Sequence, residues 1–321
     1  MQAIIIHQTG GPEVLRLENI PIAEPGLDWV RVKLETIGVN FKDIYERNGV
    51  YPVRLPMTPG IEGAGTIDAI GSKVENFSAG DRVAWVGYAG TYAEYAEVPA
   101  SKLVPIPDAM STQQAGAALL QGMTAHYLSH DTFPVRAGHT VLVHAAASGT
   151  GSLLVQFAKL RGATVIGTVS TETKAERARN LGADHVINYR ETDFEVEIRS
   201  ITHGSGVDAV YDSVGKNTFE KSLKCLKYRG ILVLFGQSSG SVPAIEPSRL
   251  GERSLFLTRP SLVHYTQARE ELLRRARFVF DAIIKKQISL NIDRIFPLSA
   301  ASDAHRYLEA GKTKGKVLLT P

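Results

Sequence analysis

Thr140-Val141-Leu142-Val143-His144-Ala145-Ala146-Ala147-Ser148-Gly149-Thr150-Gly151 runs straight into Ser152-Leu153-Leu154-Val155-Gln156-Phe157-Ala158-Lys159-Leu160. A β-branched apolar run becomes a turn of small residues, and the turn becomes an amphipathic helix. Small side chains let backbone approach a pyrophosphate closely, and the unpaired N–H groups of a helix start can bind it. The stretch is a relative of G-x-G-x-x-G, with Ala146, Ser148 and Gly151 in the three glycine positions. Ala147, Ser148, Gly149, Thr150 and Gly151 are therefore the residues expected at a pyrophosphate. Ser148 either binds it through the hydroxyl or crowds it with Cβ.

Outward from this turn, strand and helix alternate. Strands are expected at 140–145, 164–169, 207–211, 231–235 and 255–258, with helices near 151–161, 174–181, 194–201 and 218–226. Gly162, Gly182 and Gly230 fall just after helix ends, where a left-handed residue is easily placed. Crossover helices of this length build a parallel, doubly wound sheet. Before it, Trp29-Val30-Arg31-Val32-Lys33-Leu34 alternates as a half-buried strand does. Pro59-Gly60, Gly71-Ser72 and Gly80-Asp81 punctuate further short runs, which reads as an antiparallel, barrel-like β domain. Ser111 followed by Gln114 is a capping-box signature opening a helix. After Thr258 the alternation stops; a helix over 267–286 leads to a short tail ending Lys316-Val317-Leu318-Leu319, expected to pack back on the first domain. The domains expected are 1–122 with 263–321, and 123–262.

Composition narrows the function. Thirty-six basic against 33 acidic residues leave a net charge of +3, and the basic residues are scattered, which argues against nucleic acid as the main ligand. Cys225 is the only cysteine, so an intramolecular disulfide, a four-thiolate zinc site and a C-x-x-C redox pair are all excluded. The opening residues read as a strand, and no long apolar run occurs, so no membrane partner is expected and a cytoplasmic enzyme is the default.

The second strand of the alternating region ends at Ser170, about twenty residues beyond the turn, where a site preferring NAD carries an acidic side chain for the ribose 2′-OH. Ser170, Thr171 and Lys174 offer hydroxyls and an ammonium, and Tyr189 stands at the next strand end. A charge-assisted contact contributes about 1.5–3 kcal/mol, a ten- to hundredfold preference for a 2′-phosphate. NADPH is the cofactor expected, with Glu172 as a counterargument and a solvated helix lysine as the plain reading of Lys174. Two other motifs fail. Gly236-Gln237-Ser238-Ser239-Gly240 fits G-x-S-x-G, with Asp281 and His305 following in hydrolase order, but Pro243 and Pro247 oppose the helix that a nucleophile elbow needs. The loop suits small residues facing a cofactor better. His126 and His130 have zinc-compatible spacing without a third ligand nearby, so a structural pair is expected.

With these residues in view, the chain resembles the zinc-free quinone oxidoreductases of the medium-chain dehydrogenase/reductase superfamily. The matching segments span nearly the whole chain: Gly38-Val39-Asn40-Phe41-Lys42-Asp43, Pro59-Gly60-Ile61-Glu62-Gly63-Ala64-Gly65, Leu120-Gln121-Gly122-Met123-Thr124-Ala125-His126-Tyr127-Leu128, the small-residue turn, Asp212-Ser213-Val214-Gly215, Leu234-Phe235-Gly236 and Thr258-Arg259-Pro260-Ser261-Leu262. Zinc-dependent relatives carry a cysteine at the position of Asn40 and a histidine at that of Ile61, so no metal is expected. The resemblance implies an α/β protein, with a GroES-like β-barrel catalytic domain and a Rossmann doubly wound parallel-sheet domain. It implies NADPH-dependent reduction of a quinone or other conjugated carbonyl acceptor, by hydride or electron transfer, in a homodimer. Asn40, Asp43, Tyr45 and Tyr51 would line the acceptor side, with Gln121 and Thr124 near the nicotinamide. Ser213, Phe235, Gly236, Ser238 and Arg259 would border the cofactor, and Lys174 and Tyr189 would meet the 2′-phosphate. The tyrosines read equally as packing residues. Two further readings stand beside this one: an enone or 2-enoyl thioester reductase of the same fold, and a nucleotide-binding module without turnover, with an RNA-associated role.

Overall fold

The computed structural model describes residues 1–321, and the chain divides into two compact units, Met1–Met123 with Thr266–Pro321, and Thr124–Tyr265. The chain opens with β1 (Gln2–Ile5), β2 (Arg16–Asn19), β3 (Trp29–Val39), α1 (Phe41–Arg47), β4 (Glu62–Ile70), β5 (Arg82–Val86), β6 (Tyr95–Pro99), β7 (Val104–Pro105) and α2 (Thr112–Tyr127). There follow β8 (Thr140–Val143), α3 (Gly149–Leu160), β9 (Thr164–Val169), α4 (Glu172–Asn180), β10 (His185–Asn188), α5 (Phe194–Ile201), β11 (Val207–Asp212) and α6 (Phe219–Cys225). Then come β12 (Leu226–Leu234), α7 (Ser248–Gly251), β13 (Phe256–Thr258), α8 (Leu262–Tyr265), α9 (Arg269–Ile284), β14 (Ile292–Pro297), α10 (Ala301–Glu309) and β15 (Lys316–Thr320).

In the first unit β1 and β2 form a hairpin, and a seven-stranded sheet runs β14-β15-β3-β4-β5-β7, with β6 pairing β3. Val30, Val32 and Leu34 face the core while Lys33 and Glu35 face solvent, so the alternation of β3 does what it predicts. Beyond Glu35 the strand is buried continuously, because β15 now pairs its C-terminal half. The core gathers Ile4, Val32, Trp85, Tyr92, Leu298 and Leu319, each wholly buried aliphatic side chain contributing about 1.5–3 kcal/mol. The tail does pack on this unit. The antiparallel expectation needs one correction: β14 and β15 are parallel, joined across α10.

The second unit is a six-stranded, all-parallel sheet in the order β10-β9-β8-β11-β12-β13. The order reverses between β8 and β11, which makes their carboxyl ends a topological switch point, the place where such sheets bind ligands. The turn after β8 opens there. Leu142, Ile166, Val210, Leu232, Phe194 and Phe219 form the core beneath it. α4 begins at Glu172 rather than Lys174, because Thr171 caps it. β12 starts at Leu226, earlier than the apolar run 231–235 suggests, with Lys227, Tyr228 and the left-handed Arg229 exposed at an irregularity of its pairing.

Candidate active site

At the turn, Ala145 adopts a left-handed φ of 52°, its carbonyl accepts from Ser148 N–H at 2.9 Å, and Ala146 N–H donates to Thr168 O at 3.0 Å. Ser148 is the N-cap of α3: its Oγ accepts from Gly151 N–H at 3.2 Å. The hydroxyl therefore holds the helix start together. The N–H groups of Gly149 and Thr150 occupy the first helical positions, where no intrahelical acceptor exists, and with the helix dipole they form an anion cradle. A Cβ on residue 151 would run into the Ala145 carbonyl oxygen, which explains the one glycine retained. Elsewhere the demand for small residues has moved across the sheet, since a Cβ on Gly167 would lie 2.7 Å from that of Ala146.

The residues expected at the ribose come from the neighbouring strand ends. Asn188 pairs with Val169 in register, so Ser170 and Tyr189 follow side by side, with Tyr189 N–H donating to Val169 O at 3.1 Å. Thr171 Oγ1 accepts from Lys174 N–H at 3.4 Å, and Tyr189 is half exposed. Glu172, the carboxylate that argued against a 2′-phosphate, is paired with Arg179 at 2.6 Å. Across the switch point, Asp212 Oδ1 accepts from Val214 and Gly215 N–H at 2.7 and 3.0 Å, and Ser238 N–H donates to Ser213 O at 3.1 Å. A Cβ on Gly236 would lie 2.7 Å from Ser213 O. Arg259 donates to Gln237 Oε1 at 2.9 Å. Ser213, Phe235, Gly236, Ser238 and Arg259 thus share one rim of the sheet. The residues after Ser238 stay non-helical until α7, so no nucleophile elbow forms.

Sequence reasoning passed over His144, the last residue before the turn. It is buried, with Nδ1 2.9 Å from Thr168 Oγ1 and Nε2 2.9 Å from Ser222 Oγ, and burial lowers its pKa so that it stays neutral. His126 and His130 stack at 4.3 Å, and His130 Nδ1 lies 3.1 Å from His126 O. Nowhere do three His, Cys, Asp or Glu side chains come together in a way that could hold a metal ion.

In the first unit, Tyr45 and Tyr51 meet edge to face at 5.2 Å, tied by Tyr51 N–H to Tyr45 O at 2.9 Å, and both are half-buried. Asp43 departs from the expected acceptor contact. It has no exposed surface; its Oδ2 accepts from Asn40 N–H at 2.8 Å and from Tyr92 OH at 3.0 Å, while Oδ1 has no partner. Burial pushes its pKa up to about 7 against the opposing effect of the Asn40 N–H. Tyr92 OH also meets His305 Nε2 at 3.0 Å, His305 Nδ1 meets Arg47 at 3.2 Å, and Arg47 pairs with Glu309 at 2.6 Å. With Tyr92 donating to Asp43, His305 must carry its proton on Nε2 and accept from Arg47 through Nδ1. His305 is therefore fully engaged and unavailable as a hydrolase base. Asn40, 5% exposed, turns its side chain toward Glu62 and Lys316, neither of which the sequence singles out. Gln121 lies on the first unit's share of α2, which ends at Met123, with its Oε1 buried and unpaired, and the buried Thr124 opens the second.

Comparison with known proteins matches residues 26–108 to the alcohol dehydrogenase GroES-like domain and residues 149–278 to the zinc-binding dehydrogenase family. The chain is 42% identical to 2-haloacrylate reductase of a Burkholderia species, over 100% of this chain and 99% of that one. An Escherichia coli quinone oxidoreductase complexed with NADPH superposes with a TM-score of 0.98 at 41% identity, with 100% of both chains covered. The chain belongs to the quinone oxidoreductase family of the medium-chain dehydrogenases/reductases. A mycobacterial member complexed with NADPH superposes with a TM-score of 0.97 at 46% identity, again over 100% of both chains. The quinone oxidoreductase fold therefore accounts for both units: a GroES-like β domain and a Rossmann domain. No helix is long and apolar enough to cross a membrane.

Proposed function

We propose that the chain is an NADPH-dependent reductase of quinones that works without zinc. The observation that carries this reading is the carboxyl edge of the Rossmann sheet. Gly149 and Thr150 present unpaired N–H groups at the switch point, and Ser170, Thr171, Lys174 and Tyr189 gather at adjacent strand ends where the Glu172 carboxylate is held by Arg179. That donor set fits a pyrophosphate and a ribose 2′-phosphate. When bound, NADPH supplies a hydride equivalent, and with one proton from water a quinone leaves as the hydroquinone. The chain's own part is orientation: Phe235, Gly236 and Arg259 border the cofactor, Gln121 and Thr124 stand at the nicotinamide, and Tyr45 and Tyr51 face the acceptor. A quinone is electrophilic enough that positioning supplies most of the rate. Asn40 and Ile61 occupy positions where zinc-dependent relatives carry ligands, which supports the zinc-free reading.

The Burkholderia relative's name favours a second reading, reduction of an activated C=C bond conjugated to a carbonyl group. Steady-state kinetics on metal-depleted protein separates the two. The quinone reading expects a higher kcat/KM for simple quinones than for enones or 2-haloacrylates; the reverse order would install the second reading, and activity only after zinc is restored would remove the zinc-free claim. A cytoplasmic homodimer completes the proposal, supported by Phe256, 60% exposed on edge strand β13, and Tyr228, 75% exposed on β12.

A further inference from the structure

Lys316 is wholly buried, and so is its partner Glu62. Its ammonium donates to Glu62 Oε2 at 2.5 Å, to Asn40 Oδ1 at 2.7 Å and to Val39 O at 3.3 Å, which engages all three of its donors. The Asn40 amide donates to Glu62 Oε2 at 3.0 Å and to Gly38 O at 3.1 Å, so both of its N–H groups are engaged as well. Glu62 Oε1 accepts from Leu120 N–H at 2.7 Å. Gly38 makes room for the cluster, since a Cβ there would run into Glu62 Oε2. The cluster ties together β15, the junction of β3 and α1, the start of β4 and the middle of α2.

Replacing a buried ion pair by neutral groups of similar size is often harmless to stability, so stability alone does not explain a lysine at this point. A fully satisfied polar network instead imposes one geometry on whatever it joins. Here it joins Asn40, which starts the helix carrying Tyr45, to Leu120, the residue before Gln121. We propose that Lys316 is a positioning residue: with Glu62 it sets the separation of the acceptor-side segment at Asn40 from the Gln121 segment of α2. Its ammonium has no exposed surface, so it acts through Asn40 and Glu62 and touches no reactant. Asn40, with both N–H groups engaged, keeps only an Oδ1 lone pair and cannot donate to an acceptor carbonyl. The proposal deepens the quinone-reductase reading and rests on it.

The test is the double variant Lys316→Met/Glu62→Gln, which keeps volume and the Leu120 acceptor while removing both charges. Lys316→Met alone leaves Glu62 unpaired and should lower the thermal midpoint sharply; the double variant should recover it. Hydrogen exchange of the cofactor-free double variant should quicken over residues 40–47. NADPH affinity, read by fluorescence titration, should stay unchanged, while kcat with a quinone falls by about ten- to hundredfold with KM held, the signature of misplacement. Lys316→Gln/Glu62→Gln, which retains hydrogen-bonding groups at both positions, serves if the first pair does not fold. A stable double variant with wild-type kcat and wild-type exchange overturns the proposal alone. A wild-type protein inactive toward quinones overturns the functional reading, and this proposal with it.

Discussion

Asp43 is a carboxyl group sealed inside the first unit, and that environment gives it a pH signature. Burial, opposed by the Asn40 N–H, raises its pKa in the fold to about 7, whereas the unfolded chain releases the proton near 3.9. The folded state therefore binds the extra proton, and this group makes stability fall as pH rises from about 4 to about 7. His305 acts in the opposite sense: burial, then Arg47, pushes it down to about 3, so its contribution is lost as pH falls below about 6.5. Asp43→Asn deletes the first slope and leaves the second. Urea unfolding at pH 4.5 and 7.5 should show the stability of wild type relative to Asp43→Asn decreasing by about 2–4 kcal/mol at the higher pH; a difference independent of pH would contradict the buried, protonated carboxyl. At this scale the sequence was least legible. Lys316 opens the tail strand with no local signal that its ammonium is buried, and its partner Glu62 is 254 residues away. His144 looked like any histidine in an apolar strand, because its Thr168 and Ser222 partners come from other elements.

At the scale of elements, periodicity and caps carried most of the reading. The alternation of β3, the apolar run of β8 and the stripe of α3 fold as their patterns require. What failed depended on tertiary pairing: the parallel join of β14 to β15 has no local signal, and the first residues of β12 are too polar to announce a strand. Ser148, ambiguous as a residue of the turn, is seen at this scale to cap its helix, its hydroxyl accepting from Gly151 N–H. The start of α4 carries a prediction of its own. Lys174 lies in the first turn of that helix, beside the strand ends holding Ser170 and Tyr189. Lys174→Ala should raise the KM for NADPH by about tenfold or more, the loss of one charge-assisted contact, and leave the KM for NADH unchanged. Equal effects on both cofactors, or none, would remove Lys174 from the 2′-phosphate.

Over the whole molecule, the order of strands was the deduction that mattered most. Alternating strands and helices implied a doubly wound sheet, and the reversal between β8 and β11 puts the small-residue turn at the switch point. That placement, more than any glycine count, supports the proposal that the turn is a nucleotide site, because two of its three glycine positions hold Ala146 and Ser148. Family membership then extends over both units, as the full-length likeness to quinone oxidoreductases requires. The network around Lys316 was invisible in the sequence for a general reason: its members come from the junction of β3 and α1, from β4, from α2 and from the last strand, and only folding brings them together. Both units serve one reaction, the passage of reducing equivalents from NADPH to a quinone. The most direct measurement is quinone-dependent oxidation of NADPH and NADH by the wild-type protein under identical conditions. Turnover should show a kcat/KM for NADPH about ten- to hundredfold above that for NADH; equal efficiency with the two nicotinamides, or oxidation of neither, would rule out an NADPH-dependent quinone reductase.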